Sequence, residues 1–176
     1  MLRRAASERV SPRQSYRDGH HVTATYENVI ISYSVAEPNT GYLKSWVQSV
    51  DSIFARHPGG VGTIVVIDRS AKPPSEAVRE PIKHAIAQAG PKLRGVAQVV
   101  EGEGFGAAAK RSALAFITLV ARFPFPVKIF ASRKDAAQWM VDRLGDPALG
   151  PGAEAPMAGD LLEAIDLVCA SHRANA

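Results

Sequence analysis

The spacing of hydrophobic residues near the start of the chain predicts a pair of β-strands. Residues 21–26 and 29–35 are rich in β-branched and alternating apolar positions, and a short polar turn at Glu27-Asn28 separates them. Alternation with a period of two is typical of a half-buried strand. The pattern therefore predicts an opening antiparallel hairpin. Residues 1–19 lack apolar periodicity, and we expect them to form a disordered basic tail.

The following segments alternate between helical spacing and short apolar runs. Helices are predicted from Pro38-Asn39-Thr40 to His57 and over residues 73–90, 105–121 and 132–144. Strands are predicted over residues 63–67, 95–100 and 127–130. Strands that alternate with helices form parallel sheets with right-handed crossovers. The sequence thus predicts an α/β domain over residues 20–144, with a mixed, mostly parallel sheet and helices packed against it.

The end of the chain has a different composition. Residues 145–157 are rich in Gly and Pro, which is typical of a linker. Residues 158–176 place Leu161, Ile165 and Val168 at helical spacing, which predicts an amphipathic C-terminal helix. Cys169 lies on the same stripe, and we expect it to be a buried, unreactive thiol. The pattern leaves open whether this helix docks on its own domain or meets a partner.

Composition and charge narrow the classes of function. The 176-residue chain has a net charge of +4, but its first 21 residues hold five arginines against two acidic residues. Residues 145–176 hold one arginine against five acidic residues, so the chain lacks the dense basic stripe of a nucleic-acid-binding protein. A single cysteine cannot form an intrachain disulfide, and no stretch approaches the length of a membrane span. We expect a cytoplasmic protein without a cofactor, a metal site or a bound nucleic acid.

Polar residues follow the predicted strand at residues 63–67 and mark the first candidate site. The strand ends in Asp68-Arg69-Ser70, and Pro74-Ser75-Glu76 leads into the next helix. The carboxyl end of a parallel strand is where α/β domains bind ligands and partners. Asp68 is expected to accept N–H bonds from the following loop, and Ser70 fits either a turn or a partner contact. Ser75 fits a helix N-cap or a phosphorylation site.

The element order and three short segments resemble the STAS superfamily, and within it the SpoIIAA-like or STAS/SEC14-like group. The segments are residues 64–70, 95–100 and 130–140, and the resemblance spans roughly residues 21–144. It implies a bacterial, non-catalytic regulatory module that binds another protein through residues 68–79. The residues that the resemblance places on this surface are Asp68, Arg69, Ser70, Ser75 and Arg79.

The chain departs from the family at one element. Anti-sigma factor antagonists of the superfamily carry Asp-Ser-Ser-Gly or Asp-Ser-Thr-Gly at the start of the second helix, and a partner kinase phosphorylates its hydroxyl. This chain has Pro73-Pro74-Ser75-Glu76 there. Ser75 is the candidate phosphoacceptor by position, but the element around it is missing. The resemblance therefore implies partner binding and leaves the phosphorylation switch open, with Ser75 as its candidate.

A glycine-rich turn supports an alternative function, the binding of a small molecule. Gly102, Gly104 and Gly106 follow a strand and open a helix, and Lys110 lies one turn further on. Such a turn can bind a nucleotide phosphate, although the need for positive φ in a tight strand-to-helix turn already explains the glycines. The SEC14-like side of the resemblance also makes a lipid under the third helix conceivable. An enzyme is the third alternative. The sequence has no nucleophile elbow, and we predict no catalytic activity and no catalytic residues.

The segment Phe123-Pro124-Phe125-Pro126 is conformationally stiff because each proline fixes its own φ and biases the preceding residue toward an extended conformation. Its two aromatic side chains fit either a partner contact or a plug at the end of the core. The tendency of large aromatic side chains to bury their area favours the core plug.

Overall fold

The computed structural model describes residues 10–72, 74–121, 123–149 and 155–174. Within them, the strands are β1 (Arg13–Arg17), β2 (His21–Tyr26), β3 (Val29–Ser34), β4 (Val61–Ile67), β5 (Leu93–Val100) and β6 (Val127–Phe130). The helices are α1 (Thr40–Arg56), α2 (Glu76–Ala89), α3 (Gly104–Ala121), α4 (Arg133–Leu144) and α5 (Ala158–Arg173). Short 3₁₀ turns cover Gly90–Lys92 and Pro147–Leu149.

The six strands form one mixed sheet in the order β1-β2-β3-β4-β5-β6. The pairs β1–β2 and β2–β3 are antiparallel, and the remaining pairs are parallel. Because the parallel strands advance in one direction, right-handed crossovers place α1, α2 and α3 on the same face. Helices α4 and α5 cover the other face, where they share a core with β2 to β6. The predicted α/β fold with a mostly parallel sheet and an antiparallel opening is confirmed.

The edge strand β1 corrects the expectation of a disordered tail over residues 1–19. Residues 13–17 pair with β2, and the register places Arg13 opposite Thr25 and Arg17 opposite Val22. The strand was missed because its side chains are exposed or half-buried and show no apolar alternation. Backbone pairing with β2 stabilises it instead of a hydrophobic face. Residues 1–9 lie outside the described residues.

Two glycines allow α4 to pack close against the sheet. Gly62 of β4 and Gly95 of β5 are paired in register, with Val29 of β3 beside them. A Cβ atom at Gly62 would lie 2.5 Å from Met140 Sδ of α4, and one at Gly95 would lie 2.9 Å from the indole of Trp139. A side chain at either glycine would overlap Met140 or Trp139 and disturb the contact between α4 and the sheet.

The C-terminal helix α5 docks on its own domain. Its buried side chains Leu161, Ile165, Val168 and Cys169 pack with α4, β2 and β3. Arg133 at the start of α4 connects the end of β5 with α5, because its guanidinium lies 2.7 Å from Glu101 Oε2 and 2.8 Å from Asp166 Oδ1. Cys169 is 1% exposed, so the expectation that it is buried is confirmed, and this burial raises the pKa of its thiol to about 12. Of the linker predicted over residues 145–157, residues 150–154 lie outside the described residues.

Candidate functional site

Asp68 lies immediately after β4, and its carboxylate connects the following loop to β3. It accepts hydrogen bonds from the Ser70 N–H at 2.8 Å, the Ser70 hydroxyl at 2.6 Å and the Tyr33 hydroxyl at 2.5 Å. Burial by itself would raise the pKa of Asp68, but these hydrogen bonds outweigh it and lower the pKa to about 2. The prediction that Asp68 accepts hydrogen bonds from the following loop is confirmed.

Ser75 occupies the N-cap position of α2, but its side chain makes no capping hydrogen bond. Its N–H donates instead to Glu37 Oε2, at 2.8 Å. Hydrogen bonds from the backbone and side chain of Ser75 lower the pKa of Glu37. Ser75 therefore occupies the predicted N-cap position, but its side chain does not make the capping hydrogen bond. Its phosphorylation stays a prediction.

The other members of the predicted surface are exposed. Arg69 and Ser70 lie on the β4–α2 loop, and Arg79 lies in the first turn of α2. Together with Ser75, these side chains face solvent near the carboxyl ends of β3 and β4. The fold thus brings the predicted residues to one rim, although Asp68 itself is held within the structure.

The glycine-rich turn has the backbone of a tight strand-to-helix connection. Gly102 and Gly104 have φ values of +112° and +85°, which other residues rarely adopt, whereas Gly106 lies inside α3. Lys110 points to the β4–α2 loop, where its Nζ donates to Arg69 O at 2.7 Å and to Ala71 O at 2.6 Å. Anion binding by this turn stays a prediction.

A cavity of about 190 Å³ lies between the sheet and helices α1, α2 and α3. We call it the apolar cavity, because most of its walls are hydrophobic. Side chains that form these walls include Trp46, Val65, Ile82, Ala85, Val96 and Phe125. Its mouth lies beside Glu37, Lys72 and Lys110, next to the exposed rim that carries Arg69 and Ser75. The predicted surface and the apolar cavity are therefore adjacent.

Two polar side chains project from the sheet into the apolar cavity without a hydrogen-bond partner among the described residues. Thr63 of β4 is 1% exposed, and its Oγ1 has no hydrogen-bond partner among these residues. The side chain of Gln98 on β5 is half-buried, but its Oε1 atom is buried and also has no partner among them. Buried polar atoms are nearly always paired in folded proteins. By contrast, the buried hydroxyls of Thr23 and Ser32 on the same sheet satisfy each other at 3.0 Å. Thr63 and Gln98 thus present unsatisfied polar atoms to the apolar cavity.

Sequence reasoning missed Thr63 and Gln98, although a signal for them exists. Both are polar residues in strands that are otherwise almost entirely apolar, and a strand buried on both faces has little reason to carry them. Only the register shows that they lie on the same face, since Thr63 pairs with Val96 and Gln98 pairs with Val65.

The segment Phe123-Pro124-Phe125-Pro126 contributes its two aromatic side chains to the wall of the apolar cavity. Phe125 is 7% exposed and packs in the core with α1 and α2 residues, so the core interpretation is confirmed for it. Phe123 is half-buried and stacks on Phe125 with ring centroids 5.8 Å apart. Both rings line the apolar cavity.

Other kinds of site find no support in the described part of the chain. Among these residues, no group of three or more His, Cys, Asp or Glu side chains is placed to hold a metal ion. None of the helices described combines the length and the apolar character that crossing a bilayer requires.

Comparison of the chain with protein-family models, with curated proteins and with solved structures finds no match. The resemblance to the STAS superfamily therefore stays a prediction. The geometry of the apolar cavity and its rim carries the functional argument.

Proposed function

We propose that this protein is a non-catalytic binding protein for a small apolar molecule, which it holds in the apolar cavity. The observation that carries the proposal is the volume of about 190 Å³ behind mostly hydrophobic walls. Protein interiors are close-packed, and voids of this size are few. An engineered apolar cavity of about 150 Å³ is already large enough to bind benzene.

The walls favour an apolar ligand over a nucleotide. Binding sites for small molecules are concave and mostly apolar, with a few polar groups that orient the ligand. Removing a ligand's hydrocarbon surface from water drives binding in proportion to the area buried. The volume fits a six-membered ring with a short substituent, and a longer chain would extend past Lys72 at the mouth. This function agrees with the SEC14-like side of the resemblance and with a bacterial cytoplasmic setting.

Filling the apolar cavity tests this proposal. Ala85 lies on the wall that α2 forms, whereas Ala87 is exposed on the same helix. We expect propylbenzene to raise the melting temperature of the wild type and of Ala87→Leu by mass action, but not that of Ala85→Leu. Circular dichroism would verify that Ala85→Leu is folded. Equal shifts in all three proteins, or none in the wild type, would contradict the proposal.

A second candidate is the regulatory protein–protein contact that the resemblance implies. Its specific support is the row of exposed polar side chains, Arg69, Ser70, Ser75 and Arg79, beside the mouth of the apolar cavity. A partner bound there would contact the rim and respond to whether the cavity is occupied. Asp68 is a poor probe of this surface because its hydrogen bonds hold the loop together.

Charge reversal at the rim tests the second candidate. Affinity purification with mass spectrometry should recover a partner with the wild type and with Lys134→Glu, an exposed position on α4 on the opposite face. The same partner should be lost with Arg79→Glu. Recovery of the same proteins by all three baits would show that residues 68–79 do not form the contact.

A further inference from the structure

We propose that the apolar cavity selects an uncharged molecule with a hydroxyl group, such as an alkylphenol or a short alcohol, which bonds to Thr63 and Gln98. This inference rests on the proposed function and specifies the class of ligand. It begins from two polar atoms of the sheet that line the apolar cavity and have no partner among the described residues, Thr63 Oγ1 and Gln98 Oε1.

The neighbouring polar groups show how this face of the sheet satisfies hydroxyls elsewhere. Thr23 Oγ1 lies 3.0 Å from Ser32 Oγ, so these two hydroxyls satisfy each other on the antiparallel side of the sheet. Thr63 and Gln98 lie beyond this pair, under the open volume of the apolar cavity.

The register places the two unpartnered side chains within reach of one ligand atom. Thr63 is opposite Val96 and Gln98 is opposite Val65, so the two residues are diagonal neighbours on one face of adjacent strands. Strands lie about 4.8 Å apart and rise about 3.3 Å per residue, so such diagonal neighbours lie roughly 8 Å apart. The long side chain of Gln98 spans part of this separation, and we place the ligand oxygen between the two polar atoms.

The chemistry of the two atoms defines the ligand group. In the orientation that the structure shows, Gln98 presents its carbonyl oxygen, which only accepts, so a ligand that satisfies it donates an O–H or N–H. The Thr63 hydroxyl can donate back to the ligand oxygen. A hydroxyl group makes both bonds, whereas an ether or ketone makes only the bond from Thr63 and a hydrocarbon makes neither.

A carboxylate does not fit this position. It has no proton to donate, and it would face the lone pairs of the Gln98 carbonyl in an apolar surrounding. The lysines that line the apolar cavity lie at its mouth, and Lys110 already donates two hydrogen bonds to the β4–α2 loop. The carboxylate of Glu37 at the same mouth also disfavours an anion.

Three matched probes test the inference by titration calorimetry on the full chain. These are para-propylphenol, para-propyltoluene and para-propylbenzoate, which carry a hydroxyl, a methyl and a carboxylate at the same position. In a purely hydrophobic cavity the toluene would bind more tightly than the phenol, because the toluene loses more contact with water. We expect the reverse, with the phenol about tenfold tighter and the benzoate weakest.

Near-isosteric variants should abolish the preference without closing the apolar cavity. Thr63→Val and Gln98→Met remove the polar atoms and keep the volume, so each should bind the toluene at least as tightly as the wild type and lose the preference for the phenol. The matched controls are Thr25→Val and Gln88→Met, which do not line the apolar cavity. Both controls should keep the wild-type preference.

The outcomes separate this inference from the proposed function. If the three probes bind with affinities that the variants do not change, or if the benzoate binds most tightly, the selection for a hydroxyl is wrong and ligand binding stands. If none of the probes binds the wild type, the proposed function fails and the inference fails with it.

Discussion

At the scale of single residues, the polar groups that the sequence predicts for binding differ from those that the structure leaves without a hydrogen-bond partner among the described residues. Asp68 comes after a buried strand, but Ser70 and Tyr33 already use its carboxylate. Thr63 and Gln98 lie inside predicted strands and carry no motif, yet each has a polar atom at the apolar cavity without a partner among the described residues. A polar residue's role therefore depends on whether its hydrogen bonds are satisfied within the fold.

The carboxylate of Asp68 predicts a loss of stability in acid. Its pKa falls from 3.8 to about 2 in the folded protein, so the unfolded chain binds the proton more readily. The stabilisation is fully present above pH 3.8 and is lost as the pH falls through about 2. Asp18 strengthens the trend, because hydrogen bonds from Asn39, Tyr16 and the backbone outweigh its burial and lower its pKa.

Urea unfolding between pH 2 and pH 6 measures this effect. Asp68→Asn should be less stable than the wild type at pH 6 and should lose less stability on acidification. Asp142→Asn is the control, because Asp142 is exposed on α4 and its hydrogen bond is to the exposed Gln138. Parallel pH profiles for the wild type and Asp68→Asn would exclude the role assigned to Asp68.

At the scale of elements, the helix–sheet contact of α4 depends on residues that have no side chain. Gly62 and Gly95 lie side by side on β4 and β5, under Met140 and Trp139. Short apolar runs predicted these strands and periodicity predicted this helix, which begins with a capping hydrogen bond from Asp135 N–H to Ser132 Oγ. It could not show how closely the elements approach, because that distance depends on the pairing of two strands far apart in sequence.

Gly62→Ala should destabilise the protein by about 1–3 kcal/mol, because the new methyl group overlaps the fully buried Met140. Gly159→Ala is the matched control, since nothing lies within 4 Å of its Cβ position near the start of α5. This control should gain about 0.4–1 kcal/mol, because alanine restricts the unfolded chain and favours a helix. Chemical denaturation of the two variants compares them directly. Equal effects on stability would contradict the close approach of α4.

The edge strand β1 marks the limit of pattern-based reasoning about elements. The bounds of β2, β6 and α4 follow from their own side-chain periodicity, and the structure confirms them within about one residue. Strand β1 has exposed side chains, and its pairing with β2 comes from the backbone. Backbone pairing leaves no periodic trace in the sequence when neither face of the strand is buried.

At the scale of the whole molecule, the sheet separates two hydrophobic layers with different roles. The layer under α4 and α5 is closely packed, and Arg133 ties it to Glu101 and Asp166. The layer under α1, α2 and α3 contains the apolar cavity. One layer thus stabilises the sheet, and the other leaves room for the proposed ligand.

Because α5 completes the closely packed layer, a core change in α5 should destabilise the opposite layer as well. Leu161→Ala removes a side chain that is 0% exposed and should cost about 2–5 kcal/mol. Leu167→Ala, at a position that is 42% exposed, should cost less than about 0.5 kcal/mol. In a Trp139→Phe background, the fluorescence of Trp46 on α1 reports unfolding of the opposite layer.

For Leu161→Ala, the unfolding transition followed by Trp46 fluorescence should have its midpoint at a lower urea concentration. The transition should remain a single cooperative step. A Trp46 transition that does not move would show that α5 unfolds independently of the sheet. The control Leu167→Ala should leave the midpoint close to that of the parent.

The sequence by itself determined the alternation of strands and helices, the fold class and the amphipathic character of the C-terminal helix. These features follow from side-chain periodicity within one short segment at a time. The tertiary structure alone decided that residues 13–17 form an edge strand, that α5 docks on its own domain, and that Thr63 and Gln98 share the apolar cavity. Each of these depends on contacts between segments distant in sequence, and such contacts form only when the strands pair and the helices pack.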